Sequence, residues 1–201
     1  MTFILGLTGS IGMGKSTAAK IFTSLDVPVW DADGTVHLLY APGGAAVSPV
    51  AAICPDALVD GGIDRNALKA WLAENPERYA KLEAIVHPLV AQDRQAFLSR
   101  HREAGERLVV LDIPLLFESK SPHQCDAVLL VTTSAEEQRR RVMSRPGMTE
   151  ALFQQILSRQ MPDSEKRKRA DFVIVTETLD QTTREIETLV RTLTTADRRP
   201  A

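Results

Sequence analysis

The sequence predicts an α/β fold in which helices flank a parallel β-sheet. Short apolar runs at 3–8, 107–113 and 127–133 are typical of buried strands, and amphipathic helical stretches alternate with them along the chain. Such alternation implies parallel strands that are joined by helical crossovers. The 201 residues, of which 44% are hydrophobic and 25% charged, suffice for one substantial core with a smaller lobe or an insertion.

The first 33 residues predict a strand, a helix and a second strand. The run FILGLT at 3–8 is the first strand, and VPVWDAD at 27–33 is the second. Between them, apolar residues recur at the i, i+3, i+4 and i+7 spacing of an amphipathic helix. These residues are Ala18, Ile21, Phe22 and Leu25.

Residues 34–106 show a different pattern. Strand signals are sparse there, and the Asp-Gly-Gly sequence at 60–62 indicates a turn. Helical stretches are predicted around 65–74 and 76–102. We therefore interpret 34–106 as a mainly helical insertion.

Strands and helices alternate again after residue 107. Ser134, followed three residues later by Glu137, is a capping-box signature for the start of a helix, and Thr149 indicates the start of another. The run DFVIVT at 171–176 predicts a further strand. A last helical stripe is formed by Ile186, Leu189, Val190 and Leu193.

The stretch GLTGSIGMGKST at 6–17 carries the strongest functional signal. It contains G-x-x-x-x-G-K-[ST] between a predicted strand and a predicted helix, the context that this motif requires. Small residues let backbone N–H groups converge on phosphate oxygens, and the helix directs its positive end at them. We expect Lys15 to neutralise the β- and γ-phosphates and Ser16 to bind magnesium. The residues expected to bind the nucleoside triphosphate are Gly9, Ile11, Gly12, Met13, Gly14, Lys15, Ser16 and Thr17.

Composition and charge argue against several other classes of protein. The formal net charge of −2 disfavours a general nucleic-acid-binding surface, and the absence of an [NT]-K-x-D motif disfavours a GTPase. Cys54 and Cys125 are too few and too far apart for a disulfide framework, so we interpret them as reduced thiols. The N-terminus lacks a basic segment, and no apolar stretch approaches the roughly 20 residues that span a bilayer. We therefore expect a cytoplasmic protein that binds no membrane.

Acidic residues at predicted strand ends are candidates for the chemistry. Asp31 and Asp33 end the second strand and point to one side, at the edge where parallel sheets bind ligands. Asp33 either accepts a proton from an attacking hydroxyl or caps the next helix. Asp112 ends the strand at 107–113, where it either holds magnesium through water or has a structural role.

Basic residues cluster in two runs. Arg141 and Arg145 lie four residues apart on one face of a predicted helix. They either stabilise the charge of a transferring phosphoryl group or belong to a solvated surface. The run EKRKR at 165–169 is interpreted as solvated.

Taken together, these motifs resemble the dephospho-CoA kinase family. The segments that carry the resemblance are GLTGSIGMGKST (6–17), DAD (31–33), HP (87–88), DIPLLFE (112–118), RRRVMSR (139–145), ILSRQ (156–160) and ADFVI (170–174). They cover nearly the whole chain, and their joint occurrence is far more specific than the loop alone. In one departure, the family often carries an Asp-Asn-like pair where this chain has Val175 and Thr176, which bears on adenine recognition.

The resemblance implies a P-loop kinase with three parts. They are a nucleotide-binding core at 1–33, 107–134 and 170–201, a helical substrate-binding insertion at 34–106 and a helical lid at 135–169. It further implies ATP and Mg²⁺, with transfer of the γ-phosphoryl group to the ribose 3′-hydroxyl of dephospho-CoA.

The resemblance also implies roles for single residues. The expected catalytic residues are Lys15, Asp33 and Arg141, and Arg145 is expected to assist ATP binding. On the acceptor side the expected residues are Asp33, His87, Leu115 and Leu116, for the last three of which helix packing or a turn is the alternative. The expected partners are ATP and dephospho-CoA, with the oligomeric state left open. Two other functions remain: a kinase of this fold with a different small acceptor, and a P-loop ATPase or nucleotide-dependent regulator.

Overall fold

The chain divides into two compact units. The computed structural model describes residues 1–119 and 125–195. One unit comprises Met1–Trp30 and the described residues from His101 onward, and the other is Asp31–Arg100. Within the described ranges no helix is both long and apolar enough to cross a membrane.

The first unit is built on a parallel sheet, as predicted. The strands of the described chain are β1 (Phe3–Thr8), β2 (Val29–Asp31), β3 (Leu58–Val59), β4 (Gly62–Ile63), β5 (Leu108–Asp112), β6 (Ala127–Thr132) and β7 (Phe172–Val175). Five of these form one sheet in the order β2-β5-β1-β6-β7. The β1 strand pairs in parallel with β5 on one side and with β6 on the other, and β6 pairs in parallel with β7. The carboxyl ends of β1 and β5 therefore share one edge, where α/β sheets bind ligands.

The central strands are apolar up to their last residue because helices cover both faces of the sheet. Leu5, Leu7 and Leu129 have no exposed surface. On one face they pack with the apolar stripes of the first and last helices, which include Phe22 and Ile186. The stripes predicted for these two helices are confirmed.

The helices of the described chain begin either at a residue whose side chain caps the first turn or without such a cap. They are α1 (Lys15–Ser24), α2 (Ala32–Tyr40), α3 (Val47–Ile53), α4 (Arg65–Glu74), α5 (Glu77–Glu103), α6 (Ala135–Met143), α7 (Glu150–Ser158), α8 (Asp163–Arg169) and α9 (Leu179–Thr195). Ser134 Oγ accepts from the N–H of Glu137, and Thr149 Oγ1 accepts from the N–H of Leu152. Both predicted N-caps are thus confirmed. The reciprocal half of the predicted capping box is absent, because the Glu137 carboxylate binds Arg140 and Arg141.

The second unit is mainly helical, as predicted for this part of the chain. Its core gathers the apolar sides of α2 to α5, with Val50 and Leu68 buried in it. The turn predicted at 60–62 connects the two short antiparallel strands β3 and β4, at a point where Asp60 and Gly61 both have positive φ.

Two predictions about these elements were wrong. The second strand ends at Asp31, so Asp33 lies in the first turn of α2 and not on the sheet. The run at 165–169 is not uniformly solvated, because Lys166 is completely buried with its Nζ 2.8 Å from Glu118 Oε1. Cys54 and Cys125 are reduced thiols, as predicted.

Candidate active site

The predicted phosphate loop connects β1 to α1. Gly12 and Gly14 have φ angles of 77° and 89°, in the left-handed region that favours glycine. Gly14 directly precedes α1. A loop in which such residues alternate with ordinary ones turns its N–H groups towards one concave side, which binds anions.

The glycines of the loop also make room for close packing. A Cβ atom at Gly9 would lie 2.8 Å from the carbonyl oxygen of Val131, and one at Gly12 would lie 2.5 Å from Val142 Cγ2. Strand β6 and helix α6 therefore press directly against the backbone of the loop. A side chain at Gly9 would force the loop and β6 apart, and one at Gly12 would force the loop and α6 apart.

The start of α1 supplies further donors. The N–H groups of Lys15, Ser16 and Thr17 lie in the first helical turn, where no intrahelical acceptor exists. These groups and the positive end of the helix dipole make this position favourable for phosphate oxygens. Ser16 and Thr17 are exposed, whereas Lys15 is only partly so.

The Lys15 ammonium group is bound to the acid that ends β5. Lys15 Nζ lies 2.7 Å from Asp112 Oδ1, and the side chains of the two residues are 17% and 7% exposed. The pairing of β1 with β5 in register brings these residues to one end of the sheet. The predicted phosphate-binding cation is therefore a neighbour of Asp112, for which a magnesium role and a structural role were both considered.

Two glutamine side chains hold the loop from outside. The N–H of Ile11 donates to Gln160 Oε1 at 3.1 Å, and the carbonyl oxygen of Ile11 accepts from Gln138 Nε2 at 2.8 Å. Ile11, which was predicted to bind nucleotide, thus has both backbone groups bonded to side chains of the region 135–169. No role was predicted for either glutamine, although Gln160 lies within one of the segments that resemble the dephospho-CoA kinase family.

The Met13 side chain anchors the loop to β6. Its Sδ accepts from the N–H of Thr133 at 3.1 Å. The backbone carbonyl oxygen of Met13 accepts from Thr176 Oγ1 at 2.9 Å. Met13 and Thr176 are both buried. Thr176, one of the two positions at which the sequence departs from the family pattern, is therefore in direct contact with the phosphate loop.

The arginines of α6 differ in their partners. Arg141 donates from Nε to Glu137 Oε1 at 2.7 Å and from Nη1 to Thr176 Oγ1 at 2.9 Å. Arg140 is exposed and binds Glu137, while Arg139 is exposed and binds Glu150. Among these three arginines, Arg141 is therefore the one that is bonded to Thr176, which in turn is bonded to Met13 of the phosphate loop.

Hydrogen bonds from two guanidinium groups stabilise the charged form of Glu137. Those from Arg140 and Arg141 lower the pKa of the Glu137 carboxyl to about 2. Glu137 thus stays ionised at neutral pH and fixes the orientation of Arg141. Arg145, after the end of α6, is exposed.

In the second unit, Asp31 and Asp33 have separate roles. Asp31 is the N-cap of α2, since its Oδ1 accepts from the N–H of Asp33 at 3.0 Å. The alternative that Asp33 caps this helix is therefore wrong. The Asp33 carboxylate lies exposed in the first turn of α2, which leaves it available to a substrate.

The other predicted acceptor-side residues lie in different surroundings. His87 is exposed on α5, in the second unit. Leu115 and Leu116 belong to the first unit and follow β5; Leu115 is 47% exposed, and Leu116 is buried. A Cβ at Gly6 would lie 3.1 Å from Leu116 Cδ1, so Leu116 packs against β1.

The second unit contains a cleft of about 320 Å³, near the lower end of the range for small-molecule sites. Its lining includes His37, Tyr40 and Arg65. Burial raises the pKa of the Tyr40 phenol, an effect that the nearby charge of Arg65 opposes. The lining of the cleft therefore includes a neutral donor, the Tyr40 hydroxyl, and a cationic donor, the Arg65 guanidinium group.

The oxygen donors of the site fit a magnesium ion. Ser16 Oγ is exposed at the start of α1, and Asp112 presents a carboxylate beside the adjacent Lys15. Mg²⁺ prefers such oxygen ligands and takes most of its remaining ligands from water and substrate phosphates. The described residues contain no cluster of three or more His, Cys, Asp or Glu side chains that could hold a metal ion.

A parallel sheet, a phosphate loop after its first strand and an arginine fixed beside that loop define a P-loop kinase. Comparison with known proteins gives the family. The model of the family described as dephospho-CoA kinase matches residues 3–181. The chain therefore belongs to the dephospho-CoA kinase family, and it is a kinase.

Individual relatives agree over almost the full length. Dephospho-CoA kinase of Jannaschia sp. (strain CCS1) is 58% identical over 194 residues, which cover 96% of this chain and 98% of the relative. The crystal structure of TT1252 from Thermus thermophilus is 38% identical with a TM-score of 0.81, and the match covers 96% of this chain and 98% of that chain. Dephospho-CoA kinase from Campylobacter jejuni, at 23% identity and a TM-score of 0.68, shares the fold over 97% of this chain and 99% of its own.

Proposed function

We propose that the chain transfers the γ-phosphoryl group of ATP to the ribose 3′-hydroxyl of dephospho-CoA, which yields coenzyme A. Membership of the dephospho-CoA kinase family supports this reaction. The observation that carries the site assignment is the glycine-rich loop at the start of α1, with Lys15 beside Asp112. The loop would hold the triphosphate through its N–H groups, and Lys15 would neutralise its terminal phosphates.

Three side chains would serve the transfer itself. Lys15 binds the phosphates, and Arg141 stabilises the negative charge that develops on the transferring group. Asp33 orients the attacking hydroxyl or accepts its proton. Support for the last role comes from the structure of α2, in which Asp31 already caps the helix and Asp33 has an exposed carboxylate. Arg145 would assist in holding ATP.

Ser16 and Asp112 are the residues that would hold Mg²⁺, with Asp112 acting through water. The ion would neutralise phosphate charge when it is bound. Replacement of Ser16 by Ala removes the hydroxyl and should raise the Mg²⁺ concentration that gives half-maximal turnover. An unchanged requirement in Ser16→Ala would show that the hydroxyl is not a ligand.

The two remaining regions would serve the acceptor and the exclusion of water. We assign 34–106 to acceptor binding, with His87, Leu115 and Leu116 on the acceptor side, and the cleft beside Tyr40 supports a small-molecule role for this unit. Residues 135–169 would form the lid. A lid is needed because water competes with the acceptor hydroxyl for the phosphoryl group.

The experiment is a comparison of acceptors at fixed ATP and Mg²⁺. Dephospho-CoA should support turnover, and a dephospho-CoA analogue with 3′-deoxyribose should not, because it lacks the attacking hydroxyl. Adenosine and pantothenate serve as fragments that each carry part of the acceptor. Preferred turnover of an unrelated hydroxyl compound would favour a kinase with another acceptor, and equal consumption of ATP with no acceptor would favour an ATPase.

A further inference from the structure

Thr176, directly after β7, is packed against the phosphate loop. It is 5% exposed. A Cβ atom at Gly14 would lie 2.9 Å from Thr176 Oγ1 and 3.1 Å from its Cγ2. Thr176 thus occupies the space beside the last glycine of the loop, immediately before α1.

The polar groups of Thr176 are all bonded. Its hydroxyl lies 2.9 Å from the carbonyl oxygen of Met13 and 3.2 Å from that of Thr132, so the Met13 oxygen is the closer acceptor. The same hydroxyl oxygen accepts from Arg141 Nη1 at 2.9 Å, and the Thr176 carbonyl oxygen accepts from Arg141 Nη2. The N–H of Thr176 donates to Thr132 at 2.7 Å. One residue therefore joins the loop, strand β6 and the arginine of α6.

The bond to Met13 determines the direction of a phosphate-facing donor. In a planar trans peptide the C=O and the following N–H point in opposite directions. Because Thr176 fixes the Met13 carbonyl, the N–H of Gly14 must point away from Thr176. Across residues 1–119 and 125–195 this N–H has no hydrogen-bond acceptor, as expected of a donor that serves a ligand.

The hydrogen bonds between Thr176 and Arg141 determine the position of the positive charge of the Arg141 guanidinium group. Two of its guanidinium nitrogens bind Thr176, and the third binds Glu137, which stays ionised at neutral pH. A guanidinium group with three fixed acceptors has little freedom to rotate. Its position relative to the loop is therefore set through Thr176.

We propose that Thr176 is a positioning residue that couples Arg141 to the phosphate loop. Its hydroxyl orients the Gly14 N–H and holds the guanidinium group of Arg141 with the same oxygen atom. This inference rests on the proposed function, because it assigns both groups to the phosphates of ATP. It places at position 176 a role that an apolar side chain cannot fill.

The test uses two variants that separate the hydroxyl from the packing of the side chain. Thr176→Val keeps the shape and removes the hydroxyl, whereas Thr176→Ser keeps the hydroxyl and removes the methyl group. In Thr176→Val we expect kcat to fall about 10- to 100-fold, the effect of a lost hydrogen bond to a charged group. The affinity for a non-hydrolysable ATP analogue, measured by calorimetry, should fall about 3- to 10-fold because one loop donor loses its orientation. Thr176→Ser should restore both values to within about threefold of wild type.

A double variant tests the coupling to Arg141. If Thr176 acts through Arg141, then Thr176→Val should lower kcat much less in an Arg141→Ala background than in wild type. Independent, multiplying effects on kcat would overturn the proposal, and so would wild-type kcat in Thr176→Val or equal losses in the Val and Ser variants.

The wild-type enzyme separates this inference from the proposed function. If wild type makes no coenzyme A, the proposed function fails, and the affinity for the ATP analogue still tests the bond from Thr176 to Met13. Unchanged analogue affinity in a folded Thr176→Val protein would then overturn the inference by itself.

Discussion

Lys15 Nζ lies 2.7 Å from Asp112 Oδ1, so the cation of the phosphate loop is bound to the carboxylate that ends β5. Both side chains are largely buried, and an ion pair in such a place would be costly if either partner were removed alone. A triphosphate offers Lys15 several more oxygen atoms at the same position. The pair thus holds the ammonium group in place at the site where phosphate charge is expected.

Replacement of Lys15 by Ala should lower kcat/KM by about a factor of 1,000 or more, because it removes the positive charge that lies at the start of α1. Initial-rate assays with ATP and dephospho-CoA measure the effect. The matched control is Lys20→Ala, which removes an exposed lysine from the same helix and should leave turnover unchanged. Wild-type turnover in Lys15→Ala would refute the proposed role of the loop.

The two aspartates at the start of α2 should separate catalysis from stability. Asp33→Asn should lower kcat by about 100- to 10,000-fold while the affinity for ATP and the melting temperature remain close to wild type. Asp31→Ala should lower the free energy of unfolding by about 1 kcal/mol, because it removes an N-cap. A stable Asp33→Asn protein with unchanged kcat would exclude Asp33 from the transfer step.

Gly12 is constrained by contact as well as by its backbone conformation. Gly12→Ala should destabilise the fold by more than Gly105→Ala, measured as the free energy of unfolding in urea. Both glycines have φ near +77°, at which an alanine costs about 1–2 kcal/mol. Only at Gly12 would the new Cβ meet Val142, at 2.5 Å, whereas nothing lies within 4 Å at Gly105. Equal losses in the two variants would show that α6 moves away from the loop at little cost.

Local patterns in the sequence were enough to predict the sheet and the phosphate loop. The run at 107–113 is nearly continuous in branched apolar residues because β5 is covered on both faces, and the loop motif occurs between a strand and a helix. Capping residues such as Ser134 and Thr149 were equally readable, since a helix start is determined by residues within one turn.

Contacts between distant parts of the chain were not predictable from the sequence. Nothing local distinguishes Thr176, whose role depends on Met13, 163 residues earlier in the chain. Lys166 occurs in a run of charges that resembles a solvated face, and only the position of Glu118 explains its burial. The alternative that Asp33 caps α2 was wrong for a local reason: the strand ended two residues earlier than predicted, which made Asp31 the N-cap.

The low pKa of Glu137 predicts how α6 responds to acid. Because the folded pKa of about 2 lies below the ordinary value of 4.5, the carboxylate contributes stability above pH 4.5 and loses that contribution as the pH falls through about 2. A carbon-13 NMR titration of the Glu137 carboxyl should show its midpoint near 2. Arg140→Gln should raise that midpoint towards 4.5, because the hydrogen bond from Arg140 is the largest cause of the shift.

The control for this titration is Arg139→Gln. Arg139 binds Glu150 instead of Glu137, so its replacement should leave the Glu137 midpoint in place. A midpoint near 4.5 in the wild-type protein would mean that the two guanidinium groups do not hold Glu137, and hence that Arg141 is not fixed from that side.

The most direct test of the proposed phosphoryl transfer follows the γ-phosphorus atom of ATP through a single turnover. The protein is mixed in excess with γ-³²P-labelled ATP, Mg²⁺ and dephospho-CoA, and the labelled products are separated. We expect nearly all of the label on the 3′-position of coenzyme A, little as inorganic phosphate, and neither product from Lys15→Ala. Label that is released as inorganic phosphate in the presence of dephospho-CoA, with none on coenzyme A, would contradict the assignment.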